Sequence, residues 1–169
     1  HDVDAMQWVN GPFDTVSASY SNQINNLEAE DTMISLVNFV NGSVGTIESS
    51  TAIRPMDNEA SIFISGTKGF IKVGGIALNN IENFFISNID EAISNRLKKS
   101  SEDVDSGYGN SHKKIIYDFI NSITLDNEPA IPASSTIDTI QAIHGIYKSC
   151  ESSKWTKVGK LSVSSLLGK

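Results

Sequence analysis

Two strand-like runs joined by Asn41-Gly42 constrain this chain more than any other feature. Thr32 to Val40 and Ser43 to Thr51 flank that pair. Asn and Gly both tolerate positive φ, so the spacing predicts a tight antiparallel hairpin. Glu59 to Ser65 and Phe70 to Val73, on either side of Gly66-Thr67-Lys68-Gly69, predict a second one. Val16, Ala18 and Tyr20 alternate with Ser17, Ser19 and Ser21, as a half-buried strand does. Asn25 to Asp31 reads as a polar turn, and Ile76 to Ser87 offers one more strand.

Helical spacing marks both ends. Val3, Met6, Trp8 and Val9 give the first segment an apolar side, and Asn10-Gly11-Pro12 stops it. Ile115, Ile116, Phe119, Ile120 and Ile123 form a second stripe; Ile137, Ile140, Ile143, Tyr147 and Cys150 form a third. Between these two helices, Asp126-Asn-Glu-Pro129 and Pro132 make a turn, with Ser134 or Ser135 as cap and Asp138 in the next first turn. Ser87 to Gly109 is polar and charged, a long loop or a poorly ordered helix. The order helix, four or more antiparallel strands, two helices predicts an α+β fold: an open, mainly antiparallel sheet with helices on one face, and a single domain over residues 1–169.

One strand breaks the expected alternation. Met33-Ile-Ser-Leu-Val-Asn-Phe-Val40 is apolar on both sides, whereas a sheet layered on one face should alternate cleanly. Either the second face is covered, by another subunit for example, or it carries a shallow apolar patch of an ordinary kind.

Charge and cysteine content narrow the function. The 169 residues carry a net charge of −7, with a pI near 4.8. Nucleic acids and anionic membranes call for basic surfaces, and the Lys98-Lys99 pair is too small to supply one. No apolar run reaches membrane-spanning length. A single cysteine, Cys150, excludes an internal disulfide and points to a reducing compartment, the cytoplasm. Three scattered histidines and that cysteine lack metal-ligand spacing, so no metal is expected. No Gly-x-Ser-x-Gly nucleophile elbow occurs. Glu28, Glu30 and Asp31 read as a solvated turn rather than a hydrolytic carboxylate pair. His144 falls beside Ile140 and Ile143 and reads as a satisfied core histidine.

The pattern His1-x-x-Asp4-x-x-x-Trp8-x-x-Gly11 resembles a junction in the Gfo/Idh/MocA oxidoreductases, which include glucose–fructose oxidoreductase and inositol dehydrogenase. The resemblance continues in order through Glu30-Asp31, Phe39-Val-Asn-Gly42-Ser-Val-Gly-Thr-Ile47, Ile64-Ser-Gly66-Thr-Lys-Gly69, His112 to Phe119 and Ile143-His-Gly-Ile-Tyr147-Lys-Ser149. No single piece is specific; the ordered set is. It implies the C-terminal, substrate-binding and oligomerising domain of an NAD- or NADP-dependent oxidoreductase acting on a sugar, cyclitol or nucleotide sugar. It also implies a dinucleotide-binding (Rossmann) domain upstream of residue 1, with a Glu-Lys-Pro whose lysine assists, and an Asp four residues before His1. The expected assembly is a homodimer or homotetramer through the sheet face, and the fragment alone is expected to be inactive.

The same resemblance makes His1 the candidate acid/base residue. Oxidising an alcohol requires hydride transfer and removal of the hydroxyl proton. Imidazole, with an ordinary pKa of about 6.5, suits that proton near neutral pH. Asp4, one turn later, has two open roles: orienting the ring near substrate, or stabilising the first helical turn, the favoured one. A histidine at position 1 is also what a purification tag leaves behind, but its register with Asp4, Trp8 and Gly11 argues against that.

Gly107-Tyr-Gly109-Asn-Ser-His112 nearly matches a dinucleotide fingerprint, but His112 replaces the third glycine and an acidic stretch precedes it. Tyr108, Asn110 and His112 are instead candidate sugar contacts on a glycine-loosened loop. The alternative for this loop is helix capping by Ser111 or Asn110 with His112 solvated. A different class of function also fits: a non-catalytic sheet domain serving as a sugar-binding or assembly module.

Overall fold

The computed structural model describes residues 1–56 and 60–167. In chain order they form α1 (Asp2–Asn10), β1 (Phe13–Ser21), β2 (Thr32–Phe39), β3 (Val44–Ser50), β4 (Ile62–Gly66), β5 (Gly69–Gly74), β6 (Asn80–Ile86), α2 (Glu91–Lys98), α3 (His112–Leu125), a 3-10 turn (Ala133–Thr136), α4 (Ile137–Ser152) and β7 (Thr156–Lys157). The α+β, antiparallel class expected from the sequence is what the chain adopts. The strands pair in two ladders, β3-β2-β1-β7 and β4-β5-β6. The described residues divide likewise into two compact units, one drawn from both ends of the chain and one from its middle.

The unit built from the chain ends holds the hydrophobic core. Val16, Met33, Val37 and Phe39 line one face of the ladder, with Phe13 beside them and Ala142 and Ile146 of α4 packed on top. Phe13 and Val16 lie three residues apart on one strand. They share a face because the β1–β2 register shifts between Phe13 and Thr15. The Phe13 and Phe39 rings meet edge to face at 5.1 Å.

The packed face of α4 overlaps the expected stripe only toward the C-terminal end, where Tyr147 and Cys150 rest against the core. Its buried residues are Ala142, Gly145, Ile146 and Ser149, while Ile137 and Ile140 stand half exposed. Small residues win because the helix backbone comes close to the sheet. A Cβ on Gly145 would sit 3.1 Å from Val158 Cγ2 and 3.6 Å from Val16 Cγ2. The Ser149 hydroxyl donates to Lys154 O at 2.7 Å and accepts from Ala18 N at 3.0 Å, joining helix to strand without leaving a buried polar group unpaired. Neither Ser134 nor Ser135 caps α4; Ser135 Oγ donates back to Pro132 O, and Thr136 holds the cap position without a side-chain bond.

The first hairpin forms with a different turn from the one expected. Gly42 N donates to Phe39 O at 3.0 Å and Phe39 N to Ser43 O at 2.9 Å, leaving a three-residue loop. Only Gly42 takes positive φ, at 86°. Asn41 contributes its side chain instead: Oδ1 accepts from Ser43 N and Oγ, and Nδ2 donates to Asn10 O. The outer face of β2 carries the apolar residues that broke alternation, Ile34 (52% exposed) and Leu36 (49%). They stand in rows with Ser19 and Glu48, and with Ser17 and Thr46.

The middle unit has the second hairpin, whose strands meet at Gly66 and Gly69 around Thr67-Lys68. Glu59, expected at the start of this hairpin, lies outside the described residues. Gly69 has φ 144°, and a Cβ there would lie 1.8 Å from Phe85 O. The open segment between β6 and α3 contains the short helix α2, capped by Asp90, whose side chain accepts from Ala92 N and Ile93 N. The α3 stripe is helical as expected, but Ile115, Ile116, Phe119, Ile120 and Ile123 are all exposed and only Ser122 is buried.

Candidate functional site

His1 occupies the N-cap position of α1. Its carbonyl accepts from Ala5 N at 2.9 Å, while its exposed imidazole makes no capping bond. The helix below it is short because Gly11, with φ 89°, turns the chain and donates to Gln7 O. Val3 and Met6 pack against the core, but Trp8 is 87% exposed and Val9 half exposed. Positions 3 and 6 share a helical face; position 8 lies two residues from Met6 and therefore nearly opposite it. Asp4 lies in the first turn and its Oδ1 accepts the Thr139 hydroxyl at 2.7 Å. That bond to α4 supports the structural role for Asp4.

The glycine loop before α3 presents the other candidates. Tyr108 is 80% exposed, and its ring meets His112 edge to face at 5.8 Å. Asn110 turns away and donates to Asp103 O at 3.0 Å. Gly109, at φ 63°, donates to Ser106 O and lets the chain reverse there. The structure thus brings Tyr108 and His112 together and separates Asn110 from them by its backbone bond. Side-chain capping does not account for the loop, since Ser111 holds the N-cap position without a side-chain bond and Asn110 bonds to Asp103. Along α3, Ile115, Phe119, Pro129 and Ile131 line a groove of about 420 Å³ with Lys114 and Asp118. Asp118 Oδ2 accepts from Ala130 N at 2.8 Å and fixes its wall.

Fitting a dinucleotide to these residues fails. Such a site needs a parallel strand running into a glycine turn and a helix N-terminus that meets the pyrophosphate. The ladder pairings are antiparallel throughout, and Gly107–His112 follows an irregular acidic segment, Glu102 to Ser106, instead of a strand. Among the described residues no helix is long and apolar enough to cross a membrane.

Sequence reasoning missed one buried polar cluster. Asp31 is only 2% exposed and departs from the expected solvated turn, in which Glu28 does stay exposed. Its Oδ2 accepts from Gln23, Ile24 and Asn25 backbone N–H groups at 2.9, 2.7 and 3.1 Å. The Ile24 bond, joined by those from Asn25 and Gln23, lowers its pKa against the opposing effect of burial. Neighbouring Glu30 accepts the Tyr147 hydroxyl. Burial, then the Glu30 bond and its charge, push the Tyr147 phenol up to about 12. Burial also raises the Cys150 thiol, with Glu30 adding to it. The sequence sign was an Asp closing a polar turn at a strand start, where short carboxylates bond to local backbone N–H groups. A second carboxylate, Glu151, accepts from Ser164 Oγ, Ser165 N and Oγ, and Leu166 N. The Ser164 bond leads in holding its pKa down at about 2. His144, half buried on the same helix, accepts Ser164 N at Nδ1 at 3.3 Å.

Residues 1–158 match the model of the oxidoreductase family, C-terminal alpha/beta domain. The WlbA dehydrogenase from Bordetella pertussis, solved in complex with NADH and UDP-GlcNAcA, is similar over 94% of this chain and 45% of its own, with TM-score 0.84 and 26% identity. The WlbA dehydrogenase from Chromobacterium violaceum, in complex with the same two molecules, matches over 93% and 43%, with TM-score 0.80 and 25% identity. Levoglucosan dehydrogenase, in complex with NADH and levoglucosan, shares the fold at TM-score 0.70 and 18% identity over 94% of this chain and 48% of its own. The chain spans less than half the length of these structures. No protein of curated function matches it.

Proposed function

The chain belongs to the oxidoreductase family as its C-terminal alpha/beta domain, and from that premise we propose that residues 1–169 work as one substrate-binding and oligomerising domain. The whole protein would be an NAD- or NADP-dependent oxidoreductase acting on a hydroxyl of a sugar, cyclitol or nucleotide sugar in the cytoplasm. The observation that carries this reading is the likeness, at TM-score 0.84 over 94% of the chain, to a dehydrogenase solved with NADH and UDP-GlcNAcA.

The dinucleotide does not fit the residues present here, so this chain's own part is proton transfer and substrate orientation. His1 takes the proton from the substrate hydroxyl at its imidazole. Its exposed ring, free of capping duty at the head of α1, supports that role. A base so placed contributes on the order of 10²–10⁴ in rate. Tyr108 and His112 contact the sugar through the phenol hydroxyl and the imidazole as hydrogen-bonding groups; Asn110 joins them when substrate displaces its bond to Asp103. The outer face of β2, with Ile34 and Leu36 flanked by Ser17, Ser19, Thr46 and Glu48, meets a second copy of the chain.

The test is His1→Ala in the full-length protein. We expect kcat to fall by about 10²–10⁴ with KM changed little, measured as nicotinamide reduction. Activity within about three-fold of the parent would end the acid/base assignment. Reading the coding DNA upstream of His1 tests the two-domain premise: a strand–Gly-x-Gly-x-x-Gly–helix unit and an Asp four residues before His1 are expected there, and a start codon would contradict it.

A further inference from the structure

We infer that Thr139 is a positioning residue that fixes the end of α1 carrying His1. This rests on the proposed role of His1 for its catalytic meaning, but its structural content stands apart from it. The helix α1 has nine residues and none is buried. A helix that short has little stability of its own, so its placement depends on what ties it down. Met6 rests on the core in its middle and Val3 in its first turn, two apolar holds without direction.

Polar ties are distributed unevenly along it. At the C-terminal end, Asn10 Nδ2 donates to Ser43 Oγ at 2.6 Å, and Asn10 O accepts from Asn41 Nδ2 at 2.7 Å. Gln7 Oε1 accepts from Phe13 N at 3.3 Å, clamping the exit into β1. The His1 end is tied to another element through Thr139, a half-buried residue of α4. Its hydroxyl donates to Asp4 Oδ1 at 2.7 Å and accepts from Gln7 Nε2 at 3.3 Å. Donor and acceptor capacity of one hydroxyl are both used, bridging two successive turns of α1 to a single point on α4.

That point does not move easily. The helix α4 is held on the sheet by the buried face Ala142, Gly145, Ile146 and Ser149. Asp4 lies one turn after His1, and Ala5 N, its chain neighbour, donates to His1 O at 2.9 Å. Loss of the Thr139 hydroxyl therefore removes the polar tie of the first turn and leaves Val3 as its hold on the core, while the Asn10 end stays clamped. Acid/base geometry tolerates little displacement, since a candidate base has to stay within hydrogen-bond reach of its proton.

The experiment compares Thr139→Val, Thr139→Ser and Asp4→Ala in the full chain by amide hydrogen exchange. In Thr139→Val and in Asp4→Ala, exchange at Ala5 should speed up by about 3- to 10-fold, the worth of one hydrogen bond. Exchange at Val37 on the core strand should stay unchanged, and Thr139→Ser should exchange like the parent. The double variant should add nothing to either single one. Ala5 exchange unmoved in both single variants overturns the inference, as does a Thr139→Ser variant that exchanges as fast as Thr139→Val. In the full-length protein, Thr139→Val should lower kcat with KM unchanged and Thr139→Ser should restore it. If Ala5 exchange responds as stated but neither Thr139→Val nor His1→Ala moves kcat, the acid/base reading of His1 fails and the tether stands.

Discussion

The two units of this chain use the same local grammar and end with opposite interiors. Each has an antiparallel ladder with a glycine hairpin and a helix with an apolar or small-residue stripe. In the unit from the chain ends, helix and sheet close on seven buried apolar residues, Phe13, Val16, Met33, Val37, Phe39, Ala142 and Ile146. None of these comes from the middle unit, where Phe63, Phe70 and Phe85 form a ring ladder at 5.9 and 6.4 Å with its outer members exposed, and the α3 stripe is bare. The difference lies in the approach distance. Gly145 and Ser149 let α4 sink onto its sheet, whereas the bulky Ile and Phe residues of α3 stay exposed.

The largest expected effects test that contrast directly. Phe39→Ala should cost about 3–5 kcal/mol and Ile146→Ala about 2–5 kcal/mol in urea denaturation. Phe63→Ala and Ile120→Ala, on the exposed surfaces, should stay within about 0.5 kcal/mol. A cost above about 2 kcal/mol for either surface variant would break the comparison, because it would mean that the middle unit has a core of its own.

Gly69→Ala sharpens it next. With φ 144° and the Phe85 carbonyl 1.8 Å from a new Cβ, the β5–β6 pairing has to open. We expect a loss of about 1–3 kcal/mol, seen as faster amide exchange in β5 and β6 with β1 and β2 unaffected. Spread of that loss into β1 and β2 would show the units to be energetically one.

A smaller effect follows from Glu151. Its ordinary pKa of 4.5 drops to about 2 in the folded chain, so the charged carboxylate is the form that holds Ser164, Ser165 and Leu166. A lowered folded pKa means that the contribution is complete above about 4.5 and is lost as pH falls toward 2. Protection of the Ser165 and Leu166 amides, taken relative to the unstructured rate at each pH, should fall across that window in the parent and show no such step in Glu151→Gln. The smallest expected change is Tyr108→Phe in the full-length protein, a rise in KM of about two- to ten-fold with kcat held, the worth of one neutral hydrogen bond. An unchanged KM would remove the Tyr108 hydroxyl from the substrate contacts.

Legibility in the sequence followed the range of the interaction. Asn41-Gly42 announced its hairpin because turn chemistry is local, though the sequence did not say which of the two residues would take positive φ. The Ile115–Ile123 stripe announced a helix, since periodicity reports a face; whether anything covers that face is a long-range fact absent from the pattern. Counting large apolar residues caught only part of α4: Tyr147 and Cys150 pack against the core, but the buried face is Ala142, Gly145, Ile146 and Ser149. Trp8 was grouped with Val3 and Met6 by hydropathy, against the helical angle that sets it opposite Met6. Asp31 looked solvated because the three backbone N–H groups that hold it belong to the residues of its own turn, and only their folded geometry aims them inward. At the candidate site, the Tyr108–His112 contact and the Asn110 bond both come from the loop and not from helical spacing, since α3 begins only at His112. The Asn110 bond to Asp103 depends on how the loop reverses at Gly109, which spacing alone does not show.

The core unit is assembled from both ends of the chain, and this sets a timetable for its birth. Strands β1 to β3 are synthesised first, and the roughly 85 residues before α4 take on the order of 4–17 s at ordinary rates of translation. Through that interval Val16, Val37 and Phe39 have no α4 over them, and β1 has an unpaired edge where Lys157 and Thr156 will later meet Thr15 and Val16. A nascent ladder in that state is a substrate for holding chaperones and for wrong edge pairing. The length of the middle unit is therefore also a delay, and codon speed across residues 60–131 would govern how long the unfinished core waits.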